Sequence, residues 1–223
     1  MTKEIVSVYE GEKMTVTYDR RRCIHAAECG RSHSKVFDDS KDPWIVPDRD
    51  DVETLAGIIQ RCPTGALTYR RKDGGAEEPT PTRNTISVSP NGPVYIRGDI
   101  RLLRPDGSEL SREHRVALCR CGQSKHKPIC DRSHVEAKFE DLGAVNSDPD
   151  LTNEAGSGPL TITVLKDGPM QIEGSFTLYS GNGREAMRAD KAWLCRCGGS
   201  HDKPFCDGTH NKIGFRPDSE GAA

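Results

Sequence analysis

Apolar and polar residues alternate at Met14, Val16 and Tyr18, which predicts a strand running toward Cys23. Val52, Leu55, Ile58 and Ile59 recur at helical spacing behind an Asp50-x-x-Glu53 start signal, and Pro63 stops that helix just after Cys62. Residues 67–70 then resume as a strand able to return against 14–18. Farther on, Ile86-Ser-Val88 and Ile162-Thr-Val164 alternate in the same way, and each is followed by a tight-turn pair, Asn91-Gly92 or Asp167-Gly168. Such pairs accept the positive φ of a two-residue hairpin turn, so each predicts a β-hairpin. A second turn signal, Pro105-Asp-Gly107 or Gly181-Asn-Gly183, precedes one more short strand that runs into a cysteine. A short helix is expected near the last cysteine of each segment.

These two segments are copies of one unit. At a constant offset of 76 residues Ile86 matches Ile162, Gly92-Pro93 matches Gly168-Pro169, and Ile96 matches Ile172. At the same offset Gly98 matches Gly174, Leu102 matches Leu178, Leu118 matches Leu194 and Phe139 matches Phe215. Polar, Pro/Gly-rich stretches at 71–84 and 143–159 read as linkers, and the chain after Phe215 reads as a polar tail. Three domains are therefore expected, at 1–72, 84–142 and 160–218. The gapless repeat suggests an intramolecular pseudo-twofold, because each copy alone has few apolar residues for a core.

Composition adds that such cores are small: 22 Gly and 14 Pro among 223 residues imply many turns. Small modules commonly need a staple such as a bound metal. A net charge of −2 gives no reason to expect nucleic acid as a partner. No apolar run reaches the length of a membrane span or of a secretory leader, so a cytoplasmic protein with no membrane partner is expected. In that reducing setting nine cysteines favour metal binding over disulfides.

The nine fall into three triplets. Two of them, Cys119, Cys121, Cys130 and Cys195, Cys197, Cys206, are each completed by a histidine, His134 or His210, in the spacing C-x-C-x8-C-x3-H. Three thiolates and one imidazole at fixed spacing form a metal-ligand set, and its repetition argues against coincidence. Cys130 and His134 are four apart, which would put both on one face of a helical turn. Asp131 and Asp207 would lie in the first turn, where a carboxylate can accept from free N–H groups. On spacing alone two occupants fit. Zinc takes such a set as a closed tetrahedral structural centre, the more common use, and a [2Fe–2S] cluster divides the four ligands between two irons.

The segments resemble the CDGSH signature of the NEET iron–sulfur proteins, C-x-C-x2-(S/T)-x3-P-x-C-D-G-(S/A/T)-H. The second copy matches throughout, including Ser200, Pro204 and Cys206-Asp207-Gly208; the first carries Arg132 where glycine is usual. The resemblance implies one [2Fe–2S] cluster per copy, held by Cys119, Cys121, Cys130 and His134 and by Cys195, Cys197, Cys206 and His210. A neutral imidazole in place of a thiolate raises the reduction potential and makes the site sensitive to protonation in mild acid.

The first triplet, Cys23-Ile-His25-Ala26-Ala27-Glu28-Cys29 with a remote Cys62-Pro63, resembles half of a bacterial-type ferredoxin with Ala26 at the middle cysteine position. The alternative is three unrelated buried cysteines. By resemblance, Cys23, Cys29 and Cys62 would hold a [3Fe–4S] cluster, or a [4Fe–4S] cluster whose fourth iron takes water, His25, Glu28 or another group. The fold class expected is thus α+β, a small ferredoxin-like domain followed by two β-rich CDGSH modules packed as an intramolecular pseudodimer. His33, His114, His126 and His201 read as solvated surface residues, and Arg20-Arg21-Arg22 as a solvated face or a dock for an acidic partner. No nucleotide-binding glycine loop and no nucleophile motif is present. The expectation is a monomeric electron carrier or redox sensor, not an enzyme, whose partner is a reductase or acceptor protein. The alternatives are a store that hands clusters to an apo-acceptor and a zinc-stabilised interaction module.

Overall fold

The computed structural model describes residues 5–32, 35–146 and 156–217. The centre of the second linker, the end of the tail and His33 lie outside the described residues. The chain divides into two compact units, 1–79 and 80–223.

In the first unit β1 (Val6–Glu10), β2 (Met14–Asp19) and β3 (Leu67–Arg71) form an antiparallel sheet in the order β1-β2-β3. Val16 stands opposite Tyr69 and Tyr18 opposite Leu67, the return strand that the alternation predicted. Between β2 and β3 come a one-turn helix α1 (Glu28–Ser32) and a nine-residue helix α2 (Val52–Gln60). Helix α2 is capped one residue later than its sequence signal: the Asp51 side chain accepts from Thr54 N–H at 2.9 Å. Its buried face, Leu55, Ala56, Ile58 and Ile59, packs with Met14, Val16, Phe37 and Ile45.

The second unit contains β4 (Thr85–Val88), β5 (Val94–Leu103), β6 (Glu109–Leu118), α3 (Ser133–Glu136), β7 (Pro159–Val164), β8 (Met170–Tyr179), β9 (Glu185–Leu194) and α4 (Thr209–Lys212). The predicted hairpins are present, with Asn91 and Asp167 at φ 51° and 50°. All six strands belong to one sheet. Short strands β4 and β7 lie end to end between β5 and β8. Each is antiparallel to the long strand of its own repeat and parallel to that of the other. Ile86 faces Leu178 across β4–β8, and Ile162 faces Leu102 across β7–β5, the same pairing under the repeat offset.

The crossover from β4 to β7 falls where β5 and β8 bulge, between Arg97 and Ile100 and between Glu173 and Phe176. Gly98 and Gly174 sit there for lack of room: a Cβ would stand 2.1 Å from Asn84 Oδ1 and 2.3 Å from Pro159 O. Asn84 is buried and laces the exchange, its amide donating to Gly158 O and Ser175 O at 2.9 Å each. Ile86, Ile96, Leu102, Leu118, Ile162, Ile172, Leu178 and Leu194 then meet in one core shared by both repeats.

The expected α+β class with a ferredoxin-like first domain does not hold. The chain is mostly β, 35% strand against 13% helix, with sheets and a small barrel. Alternation persists through four ten-residue strands, β5, β6, β8 and β9, whereas the helices near the last ligands are single four-residue turns. In the first unit the segment carrying Cys23 and Cys29 is loop and one helical turn, so one helix of useful length is left to cover the sheet. Among the described residues, no helix is long and apolar enough to cross a membrane.

Because the core is shared, trimming one repeat should weaken both. Ile162→Ala, at a fully buried position, is expected to cost about 3 kcal/mol, and urea unfolding of the 80–223 unit should remain a single transition. Two separated transitions would show that the repeats stand independently.

Candidate metal centres

Strands β6 and β9 deliver the first cysteine of each motif: Leu118 and Leu194 end them, and Cys119 and Cys195 follow. The chain then doubles back. Cys119 N–H donates to Pro128 O at 2.8 Å and Cys130 N–H to Ala117 O at 2.9 Å; Cys195 with Pro204 and Cys206 with Trp193 repeat these bonds at 2.8 and 2.9 Å. The Ser124 and Ser200 hydroxyls brace the loops by donating to Ile129 O at 2.6 Å and Phe205 O at 2.7 Å. A ten-residue excursion is thereby folded so that the third cysteine stands beside the first.

The four donors of each motif are grouped two by two. Cys119 and Cys121 Sγ are 3.6 Å apart, and Cys195 and Cys197 Sγ are 3.8 Å apart. Cys130 Sγ lies 3.5 Å from His134 Nδ1, and Cys206 Sγ lies 3.3 Å from His210 Nδ1. A tetrahedral metal about 2.3 Å from a thiolate and about 2.0 Å from an imidazole sets S···S near about 3.8 Å and S···N near about 3.5 Å. Each pair therefore has the bite of a two-point chelate for one metal, and it is Nδ1 that faces the metal side. Among the described residues no three Cys, His, Asp or Glu side chains are grouped to hold a single ion.

Cys130 and His134 meet by a route other than the expected helical face. Helices α3 and α4 begin only at Ser133 and Thr209, and the residues before them, Arg132 and Gly208, are left-handed at φ 74° and 83°. That reversal turns the histidine back over the cysteine. Asp131 Oδ1 accepts from Ser133 N–H at 3.0 Å and its Oδ2 from Lys125 N–H at 2.8 Å. Asp207 does the same with Thr209 N–H at 2.9 Å and His201 N–H at 3.0 Å. These carboxylates fasten the final turn to the loop.

Electrostatics favours the thiolate form at one sulfur of each C-x-C pair and disfavours it at the others. In each C-x-C pair the partner thiol's hydrogen bond pulls one sulfur down to about 6, Cys119 in the first motif and Cys197 in the second. The same bond, with burial, pushes the other sulfur up. Cys130 is driven to about 12 by burial, against the Arg132 N–H that donates to it at 3.5 Å. His134 is held below the ordinary imidazole range by burial and then by the charge of Arg132.

In the first unit Cys23, Cys29 and Cys62 line one cavity of about 1260 Å³, together with His25, Ala26 and Glu28. The loop bends there through two left-handed residues, His25 and Ala27, at φ 56° and 63°. Burial raises the Cys29 thiol, and the nearby Cys62 and Cys23 raise it further. Tyr18 and Trp44 form part of the wall, their rings edge to face at 4.9 Å. Burial, then a hydrogen bond with Cys23, lifts the Tyr18 hydroxyl above the ordinary phenol range.

Residues 9–72 match the family described as divergent 4Fe-4S mono-cluster, and residues 91–135 and 167–211 each match the family described as iron-binding zinc finger CDGSH type. The chain thus carries two CDGSH-type iron-binding domains behind a divergent 4Fe-4S mono-cluster domain. It is an iron–sulfur protein. A stretch of the chain is also similar to the uncharacterized protein YjdI of Escherichia coli, in strains K12 and O157:H7 alike. Identity is 44% over 64 residues, which cover 29% of this chain and 84% of each YjdI.

The residue between the paired cysteines carries more of these CDGSH-type domains than spacing reveals. Arg120 and Arg196 are each 1% exposed. Arg120 Nε donates to Gly92 O at 3.0 Å and a terminal nitrogen to Ser89 O at 2.7 Å; Arg196 repeats this with Gly168 O at 2.9 Å and Leu165 O at 2.7 Å. Phe139 and Phe215 cover the guanidinium groups at 5.0 and 5.3 Å. The buried arginines thus bolt the C-x-C segment to the β4–β5 and β7–β8 turns. Their signal in the sequence was a shared arginine at the repeat offset, beside a matched phenylalanine whose partner was unknown.

Of the other histidines His201 lies at the surface as expected, and His126 and His114 depart from expectation. His201 is exposed and paired with Asp207 at 3.3 Å, while His126 and His114 are half-buried, and His114 Nδ1 is sequestered on β6. The Arg20-Arg21-Arg22 run forms a 3₁₀ turn in which Arg21 and Arg22 pair with Asp19 at 3.0 and 3.8 Å.

Arg120→Met would keep the aliphatic stem yet strip buried carbonyls and Asp141 of their donor, an expected loss of about 3 kcal/mol by urea denaturation. The paired-thiol chemistry predicts that in metal-free protein the alkylation rate of half-buried Cys197 rises with pH to half its plateau near about 6. Thiolate, the reactive form, gains as pH climbs through that value. A midpoint at the ordinary thiol value would contradict the coupling.

Proposed function

We propose that the chain is an electron-transfer or redox-sensing protein holding two [2Fe–2S] clusters and one cluster of [3Fe–4S] or [4Fe–4S] type. The observation that carries this reading is the two-by-two grouping of the Cys3His donors. Cys119 with Cys121, and Cys195 with Cys197, would hold one iron of each [2Fe–2S] cluster. Cys130 with His134, and Cys206 with His210, would hold the other. A mononuclear zinc centre would instead draw all four donors to one point. Such a cluster, when bound, supplies one-electron redox chemistry at a potential raised by its imidazole ligand.

The protein's own part is to aim and shield. Backbone N–H groups of Gln123 and Gly199 donate to Cys121 and Cys197 Sγ at 3.5 and 3.4 Å, which stabilises negative charge on the sulfurs. Cys119, Cys121 and Cys130 are 1%, 7% and 2% exposed, whereas His134 is half-buried. The histidine edge is thus the face from which an electron would reach a partner reductase or acceptor. In the first unit Cys23, Cys29 and Cys62 would hold the third cluster, and the family match favours four irons, with His25 or Glu28 in reach of the cavity. The chain acts as a carrier in this reading, not as a self-contained catalyst.

Metal analysis of anaerobically purified protein tests it. About eight irons with matching acid-labile sulfide are expected, or about seven with a three-iron first site. About four would leave the tandem sites standing and remove the first cluster. Two or three zinc ions with little iron or sulfide would refute the redox reading.

A further inference from the structure

The C-x-C loops of the two motifs meet backbone to backbone. A Cβ on Gly122 would stand 2.2 Å from the carbonyl oxygen of Cys197, and one on Gly198 would stand 2.3 Å from that of Cys121. Both glycines are left-handed at φ 79°. The carbonyl of each motif's second ligand therefore rests on the glycine that follows the second ligand of the other. No side chain fits between them.

These glycines also aim hydrogen bonds. The amides directly after them, Gln123 and Gly199, are those that donate to Cys121 and Cys197 Sγ. The dihedrals of Gly122 set the direction of the first of these N–H groups, and the backbone of Cys197 limits those dihedrals. The reciprocal statement holds for Gly198 and Cys121. A second tie runs the same way: Lys203, inside the second motif, places its ammonium 5.9 Å from the centre of the Phe139 ring, which covers Arg120 of the first.

A need for positive φ alone does not account for this pair. At the other left-handed position of the motif, before α3 and α4, one repeat has Gly208 and the other Arg132, and nothing lies within 4 Å of a Cβ at Gly208. There a side chain is accommodated. At 122 and 198 the opposite motif forbids one.

We propose that Gly122 and Gly198 are reciprocal positioning residues, each motif's C-x-C loop being the template for the other's, so that the two cluster sites fill and empty as a coupled pair. The coupling rests on the reading that both motifs hold clusters. Its structural basis, the reciprocal contact, does not need them.

The first measurement uses metal-free full-length protein. Gly198→Ala should speed amide hydrogen exchange over residues 119–123, in the other motif, by about tenfold or more, given the strain of a left-handed alanine added to the clash. Gly208→Ala, equally left-handed but uncrowded, should leave 119–123 unchanged. Faster exchange confined to 195–199 would overturn the reciprocal contact.

The second uses anaerobically loaded protein in which the first motif is emptied by Cys130→Ser with His134→Ala, leaving both glycines in place. The visible absorption of the second motif's cluster should then decay several-fold faster under a chelator than in the parent protein. An unchanged decay would overturn the coupling, even if the glycine variants failed to fold. Parent protein without iron or sulfide would sink the cluster reading instead, and the exchange experiment would still decide the contact.

Discussion

Strands β4 and β7 have four and six residues, and neither can close a hydrophobic core with its own hairpin alone. Each completes the sheet of the other repeat by parallel pairing with that repeat's long strand. Everything at the metal-binding end follows from this exchange. It orients β6 and β9, from which the first cysteines emerge, and it brings the two C-x-C loops into contact. Asn84 and the bulges at Gly98 and Gly174 serve the same purpose, since they are where one long strand changes partners.

On that frame the ligand loops are held by polar groups and not by bulk. A fully buried guanidinium between the paired cysteines grips the carbonyls of the neighbouring hairpin turn, and a phenylalanine closes over it. Burying such a charge is costly unless it is held by hydrogen bonds, so the loop has little freedom once the arginine is seated on those carbonyls. The sulfurs inherit that rigidity, and their separations already suit metal chelation.

Much of this could be read from residues alone. The pairing of the motif cysteines and histidines, the repeat offset, the hairpin turns at Asn91-Gly92 and Asp167-Gly168, and the pairing of 67–70 with 14–18 all rest on local chemistry, which sequence spacing expresses directly. The α+β class was misjudged because a helical stripe such as Val52 to Ile59 is conspicuous, while β1, with Val6 and Val8 exposed on an edge, shows little contrast. The approach of Cys130 to His134 was placed on a helical face because i,i+4 spacing suggests one. A left-handed residue achieves the same contact, and Arg132 does not advertise that conformation as Gly208 does. Arg120 and Arg196 escaped notice because an arginine between two cysteines looks exposed until the strand exchange buries it.

Carrying both halves in one polypeptide also removes a restriction. In a homodimer any substitution appears at both sites, so the two centres must stay identical. Here Arg132 faces one histidine while Gly208 precedes the other, and Asp141 neutralises Arg120 where the matching position in the second copy is Pro217. Duplication within a single gene therefore lets two centres on one symmetric scaffold evolve apart while the strands that bind them together keep the same register.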